Sequence, residues 1–160
     1  MSTYTARSAD LIEAILPFDC VVLRGLPGSG KSTFASLLAR SQGFVHLEAD
    51  GHFMVNGKYV FDPLRVADAH AVVVRDALSA LQAGRKVAVA NTHVRLWEMA
   101  GIVGAVRLAG RKLCFVECLN DWDNIHDVPQ SALDAMRTRW EPLPAEFRAI
   151  AFTFTANSGE

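Results

Sequence analysis

RGLPGSGKST, residues 24–33, decides how this chain is read. Gly25, Gly30, Lys31 and Ser32 satisfy G-x-x-x-x-G-K-[ST], the pattern of a loop that wraps a nucleotide's phosphates. The flanks supply the required context. DCVVL (19–23) is a short apolar run that reads as a buried strand, and KSTFASLLARSQG (31–43) has helical periodicity. In such a loop the glycines, Gly25, Gly28 and Gly30, let backbone N–H groups turn inward, with Pro27 and Ser29 in the same nucleotide-binding loop, and the helix N-terminus adds partial positive charge. Lys31 reaches the β- and γ-phosphates. The Ser32 hydroxyl ligates Mg²⁺. Thr33 either adds a hydroxyl to the α-phosphate or supports the helix start. The implied ligand is a nucleoside triphosphate with its Mg²⁺.

The rest of the chain places that loop in a fold. The 160 residues suit one domain, with 1–19 as a helical extension, and 51% are hydrophobic. Apolar runs at FVHLEAD (44–50), RKVAVANTH (85–93), RKLCFVECL (111–119) and AIAFTFTA (149–156) read as four further strands. Helical segments lie between them, including 64–84, 94–110 and one beginning near Pro129. Alternating strands and helices predict an α/β fold with a parallel sheet, whose ligands gather at the carboxyl ends of the strands. A net charge of −1 offers no broad attraction for nucleic acid or membrane, and no apolar run has the length of a membrane span. Cys20, Cys114 and Cys118 read as reduced, packed thiols of a cytoplasmic protein. No protein partner is indicated.

Several blocks, taken in order, resemble small P-loop kinases related to 5′-hydroxyl polynucleotide kinase. After the loop come ADGHF (49–53), GKYVFDP (57–63), Ala69–His70, NTHVRLWEM (91–99), NIHDVP (124–129) and MRTRWE (136–141). The resemblance runs from about Cys20 to Glu141. It implies a three-layer P-loop kinase-like fold with about five parallel strands and a short lid. It also implies an ATP- and Mg²⁺-dependent transfer of a phosphoryl group to a hydroxyl of a nucleic-acid end or a small molecule.

The resemblance makes Asp50 the general base, with Glu48 a substitute on the same strand. Asn91 and Thr92 are expected to orient acceptor or metal water, or to cap the strand end. His93 and His52 are candidates to touch a substrate phosphate, and the Tyr59–Phe61–Asp62 segment to wall an acceptor pocket. Trp97 and Met99 have core spacing. Two departures stand out. Ala90 occupies a position where many P-loop proteins carry a metal-associated aspartate. The lid segment CLNDWDNIHDVP (118–129) is short and acidic, with Asp121, Asp123 and Asp127 where a basic clamp is expected, and Phe53 replaces a further arginine. Arg137 and Arg139 are the substitute clamp. The departures leave two alternatives to a kinase, a nucleotide-binding module without catalysis and a bare NTPase.

Overall fold

A computed structural model describes residues 8–49, 54–55, 58–59, 65–122 and 128–155 of the protein. Five strands form one parallel sheet: β1 (Cys20–Arg24), β2 (Val45–Leu47), β5 (Val87–Ala90), β6 (Leu113–Cys118) and β7 (Ala151–Phe154). Their order is β2-β5-β1-β6-β7. These are the five strands expected from the apolar runs. Central β1 pairs with β5 on one side and β6 on the other, Leu23 facing Ala90 and Val116. The chain therefore leaves β1 in one direction and later crosses to its other flank. That reversal opens the crevice where an α/β sheet binds ligands.

Alternation along the strands sorts side chains into two cores. Val21, Leu23, Ala88, Ala90, Cys114 and Val116 face α1 (Ser8–Ile15) and α2 (Lys31–Gln42), meeting Leu11, Ile15, Phe34 and Leu38. Cys20, Val22, Val87, Val89, Leu113 and Phe115 face α3 (Val66–Gln82) and α4 (Trp97–Leu108). Helix α3 contributes Ala69, Val73, Ala77 and Leu81, a four-residue spacing that keeps one stripe on the sheet. The result is three layers, helix–sheet–helix. All three cysteines are free and buried, and burial pushes the Cys20 and Cys118 thiols up to about 12.

Several details differ from the sequence reading. A small antiparallel pair, β3 (Met54–Val55) and β4 (Lys58–Tyr59), lies in what reads as an irregular connection. Helix α5 (Gln130–Arg139) has Pro129 as its N-cap, not as its first helical residue, and a short α6 (Ala145–Arg148) follows. Met99 is buried as expected, but Trp97 is 67% exposed at the first turn of α4 and is not core. No helix among the described residues is long and apolar enough to cross a membrane.

Candidate nucleotide and acceptor site

The loop 25–30 joins β1 to α2 at the carboxyl edge of the sheet. Gly28 (φ 82°) and Gly30 (φ 99°) both take left-handed backbone, which glycine adopts without strain. A Cβ on Gly25 would lie 2.4 Å from Ser29 Oγ and 2.7 Å from the Cys118 carbonyl, so only glycine fits there. Helix α2 starts at Gly30 with no side-chain cap, which leaves its first-turn N–H groups directed at the loop. Ser29 Oγ is buried without a hydrogen-bond partner. Lys31 is only 9% exposed, and its Nζ donates to the Leu26 carbonyl at 2.9 Å. Uncapped N–H groups, a cradle with no room for Cβ atoms and a sequestered ammonium suit a polyphosphate. Ser32 and Thr33 are exposed at the start of α2.

The segment after β6 braces this loop. Asn120 donates to the Ser29 carbonyl through both its backbone N (3.2 Å) and Nδ2 (2.8 Å). Trp122 N donates to the Gly28 carbonyl at 2.8 Å. The described start of the expected lid therefore holds the loop from outside. Neither residue was singled out from sequence, because the contact joins segments about ninety residues apart.

At the end of β5, Asn91 and His93 are buried and committed to the scaffold. Asn91 Oδ1 accepts from Ala49 N at 2.8 Å, and its Nδ2 lies 3.4 Å from His93 Nε2. His93 Nδ1 lies 3.0 Å from the Leu23 carbonyl, which assigns the Nδ1–H tautomer as donor. Its backbone is left-handed (φ 47°), a costly conformation for a side chain with a Cβ. The His93 ring is 1% exposed, so it faces no acceptor in this conformation and works instead as a brace between β1 and Asn91. The His70 ring on α3 lies 6.3 Å from it. Thr92, half-buried, accepts from Gly25 N at 3.2 Å and ties the strand end to the loop.

Burial, countered only in part by its bond to Leu23, lowers the His93 pKa to about 3. The unfolded chain binds this proton below about pH 6.5 and the native state does not. Stability should therefore fall as pH drops below 6.5, by up to about 1.4 kcal/mol per pH unit. Denaturant midpoints between pH 7 and 5 check this, and His93→Gln should flatten the slope.

Arg24, the first residue of the opening stretch, is fully buried. Its Nε and Nη2 donate to the His93 carbonyl (3.1 and 2.8 Å), and Nη2 also reaches the carbonyls of Val94 (3.1 Å) and Glu141 (2.9 Å). Its guanidinium stacks 3.9 Å from the Trp140 ring centroid. Burial lowers its pKa, opposed by the charges of Glu117, Glu98 and Glu141. Three sequence blocks, 24–33, 91–99 and 136–141, thus meet on one side chain. Arg24→Met removes the donors to the His93 and Glu141 carbonyls, while the Val94 carbonyl keeps Glu141 N, and should cost about 3 kcal/mol. For a domain of this size that is a Tm drop of about 6–12 °C by calorimetry. Arg24→Lys should recover little, since an ammonium lacks the planar fork.

Glu48 follows β2, and its Oε1 accepts a hydrogen bond from His46 Nε2 at 2.6 Å. Burial works to raise its pKa, but hydrogen bonds from His46 and the Ser32 hydroxyl, with the charges of His46 and Lys31, outweigh burial and hold it below the usual range. A hydroxyl beside a charged carboxylate is an oxygen-only donor set, which fits Mg²⁺. Arg137 and Arg139 are exposed on the last turn of α5. Arg137 Nη1 binds Asp134 Oδ1 at 3.2 Å, and among the described residues neither arginine bonds to the phosphate loop. Asp50, His52, Phe53, Phe61, Asp62, Asp123, His126 and Asp127 lie outside the described residues.

Comparison with known proteins agrees with this geometry. Residues 20–143 match the AAA_33 model, described as an AAA domain. Over 134 residues, 76% of the chain, the sequence is 31% identical to NEDD4-binding protein 2 of Homo sapiens, and the match spans only 8% of that protein's length. Among solved structures, Kti12 of Chaetomium thermophilum in complex with ADP–AlF3 superposes with a TM-score of 0.65 (16% identity, 88% of this chain and 91% of that one). A gluconokinase from Sinorhizobium meliloti 1021 gives 0.60 (18% identity, 86% and 81%). A chain of the Pnkp1/Rnl/Hen1 complex gives 0.55 (23% identity, 74% and 38%). The chain belongs to the AAA_33 family of AAA domains and has the P-loop fold found in kinases.

Proposed function

We propose that the protein is an ATP-dependent phosphotransferase that moves the γ-phosphoryl group of ATP to a hydroxyl of a nucleic-acid end or small molecule. One observation carries this reading. The phosphate loop and the end of β2 meet at one sheet edge, where Asn91 fixes Ala49 immediately before Asp50. The loop N–H groups and Lys31 hold the β- and γ-phosphates, and Thr33 faces the α-phosphate. Bound Mg²⁺ supplies charge neutralisation between the phosphates. The acceptor oxygen bonds to the γ-phosphorus, the bond to the β–γ bridging oxygen breaks, and the hydroxyl proton passes to the Asp50 carboxylate. ADP and the phosphorylated acceptor leave. His52 and Thr92 border the acceptor in this reading.

A second reading is a nucleotide-binding module without transfer. It is favoured by Asn120 and Trp122, which tie the start of the lid segment to the loop, and by Arg137, which is paired with Asp134. The two are separated by γ-labelled ATP and a panel of 5′-hydroxyl oligonucleotides, nucleosides, sugars and amino alcohols. Label in one acceptor class, absent with Lys31→Ala, supports the kinase. Tight ATP binding with no labelled acceptor supports the module.

A further inference from the structure

The loop provides Ser32 for a metal, yet the strand position where a metal-associated acid belongs holds Ala90. The strand register shows where an acid stands instead. β2 and β5 run parallel with Val45 opposite Val87, His46 opposite Ala88 and Leu47 opposite Val89. Glu48 follows directly on the last paired residue, one step beyond Leu47–Val89 toward Ala90, and Ala49 N donates to the side-chain Oδ1 of Asn91, which ties the two strand ends together. Paired residues of neighbouring strands share a face. Ala88 and Ala90 face the α2 side, where Phe34 and Leu38 pack. Glu48 therefore lies on the α2 side of the sheet, level with Ala90 and one strand outward. Its bond to His46, two residues earlier on that face, agrees.

We propose that Glu48 is the metal-holding acid of this site, binding water molecules of the nucleotide's Mg²⁺ in the place that Ala90 leaves without a carboxylate. The inference rests on the kinase reading only in needing a bound Mg²⁺–nucleotide. The surroundings fit. The Ser32 hydroxyl and the Lys31 ammonium both act on the Glu48 carboxylate, so the acid sits among the groups expected to meet the metal and the phosphates. Mg²⁺ keeps several waters and needs only one or two carboxylates beside phosphate oxygens. A carboxylate just past the end of the adjacent strand would bind those waters and add negative charge near the metal without being a direct ligand. It also assigns the two acids of the β2 end separate tasks, with Glu48 toward the metal and Asp50 toward the acceptor.

The test is the gain in nucleotide affinity that Mg²⁺ confers. ADP and ATP are titrated by calorimetry in excess EDTA and in excess Mg²⁺, for wild type and Glu48→Gln. Wild type should bind more tightly with Mg²⁺. In Glu48→Gln the EDTA affinity should hold or rise, since a negative charge near the phosphates is gone, while the Mg²⁺ gain falls about 10- to 100-fold. A Glu48→Gln protein with the wild-type Mg²⁺ gain overturns the inference alone. Wild type that binds no nucleotide in either condition overturns the kinase reading and this inference together. Should the glutamine variant not fold, Glu48→Asp and Glu48→Ala are compared: the aspartate should keep more of the gain, and equal gains overturn the inference.

Discussion

Asp50→Asn is expected to leave nucleotide binding in place and to lower phosphoryl transfer by about 10²–10⁴-fold, the usual contribution of a positioned general base. The amide preserves shape and removes only the capacity to take a proton. The residue before Asp50 is anchored. Asn91 Oδ1 holds Ala49 N at 2.8 Å, and His93, itself fixed to Leu23, lies beside the Asn91 amide. Ala49, the residue before Asp50 in the chain, is therefore a braced point. Transfer of label from ATP gives the rate, and ADP titration gives the affinity. An equal loss in both would make Asp50 a binding residue. Unchanged transfer would remove it from the chemistry.

Lys31→Ala should act at the earlier step and weaken nucleotide binding severely. The ammonium is nearly buried and pairs with a backbone carbonyl of its own loop. A phosphate chain in the loop offers it a charged partner in a partly desolvated site. Truncating one member of such a pair costs about 2–5 kcal/mol, a loss of roughly thirtyfold or more in affinity. Lys31→Arg should fail as well, because the guanidinium is broader and cannot enter as a point charge. Calorimetric titration reads the affinity, and the thermal midpoint shows that the variant is folded. Retained micromolar-range affinity would mean that the loop binds through its backbone alone.

The parts of the site legible in the sequence are those imposed by local backbone chemistry. The glycine spacing of 25–30 is visible because left-handed turns and a position without room for a Cβ demand glycine at fixed offsets. The five strands are visible because each is a short apolar run. The β3–β4 pair is not, since its strands have two residues each and cannot show an alternating pattern. Its signal is the Asn56–Gly57 dipeptide, favoured in two-residue hairpins.

What joins distant segments stays hidden until the chain is folded. Arg24 reads as the polar end of a strand, and its three carbonyl partners lie 69 to 117 residues away. His93 reads as a ligand-facing histidine, but the brace to Leu23 and Asn91 is a tertiary fact. The MRTRWE block draws attention to its arginines, whereas Trp140 and the Glu141 carbonyl make the contacts to Arg24. Glu48 is legible as an acid near Asp50; the face it occupies follows only from the register of β2 on β5.

The central claim is tested most directly by following the γ-phosphoryl group of ATP through a single turnover with excess wild-type protein and the acceptor panel. The expected result is label recovered covalently on one class of hydroxyl acceptor, with little free phosphate and none of either with Lys31→Ala. Label that stays on bound ATP, or appears only as free phosphate whatever the acceptor, would contradict the assignment.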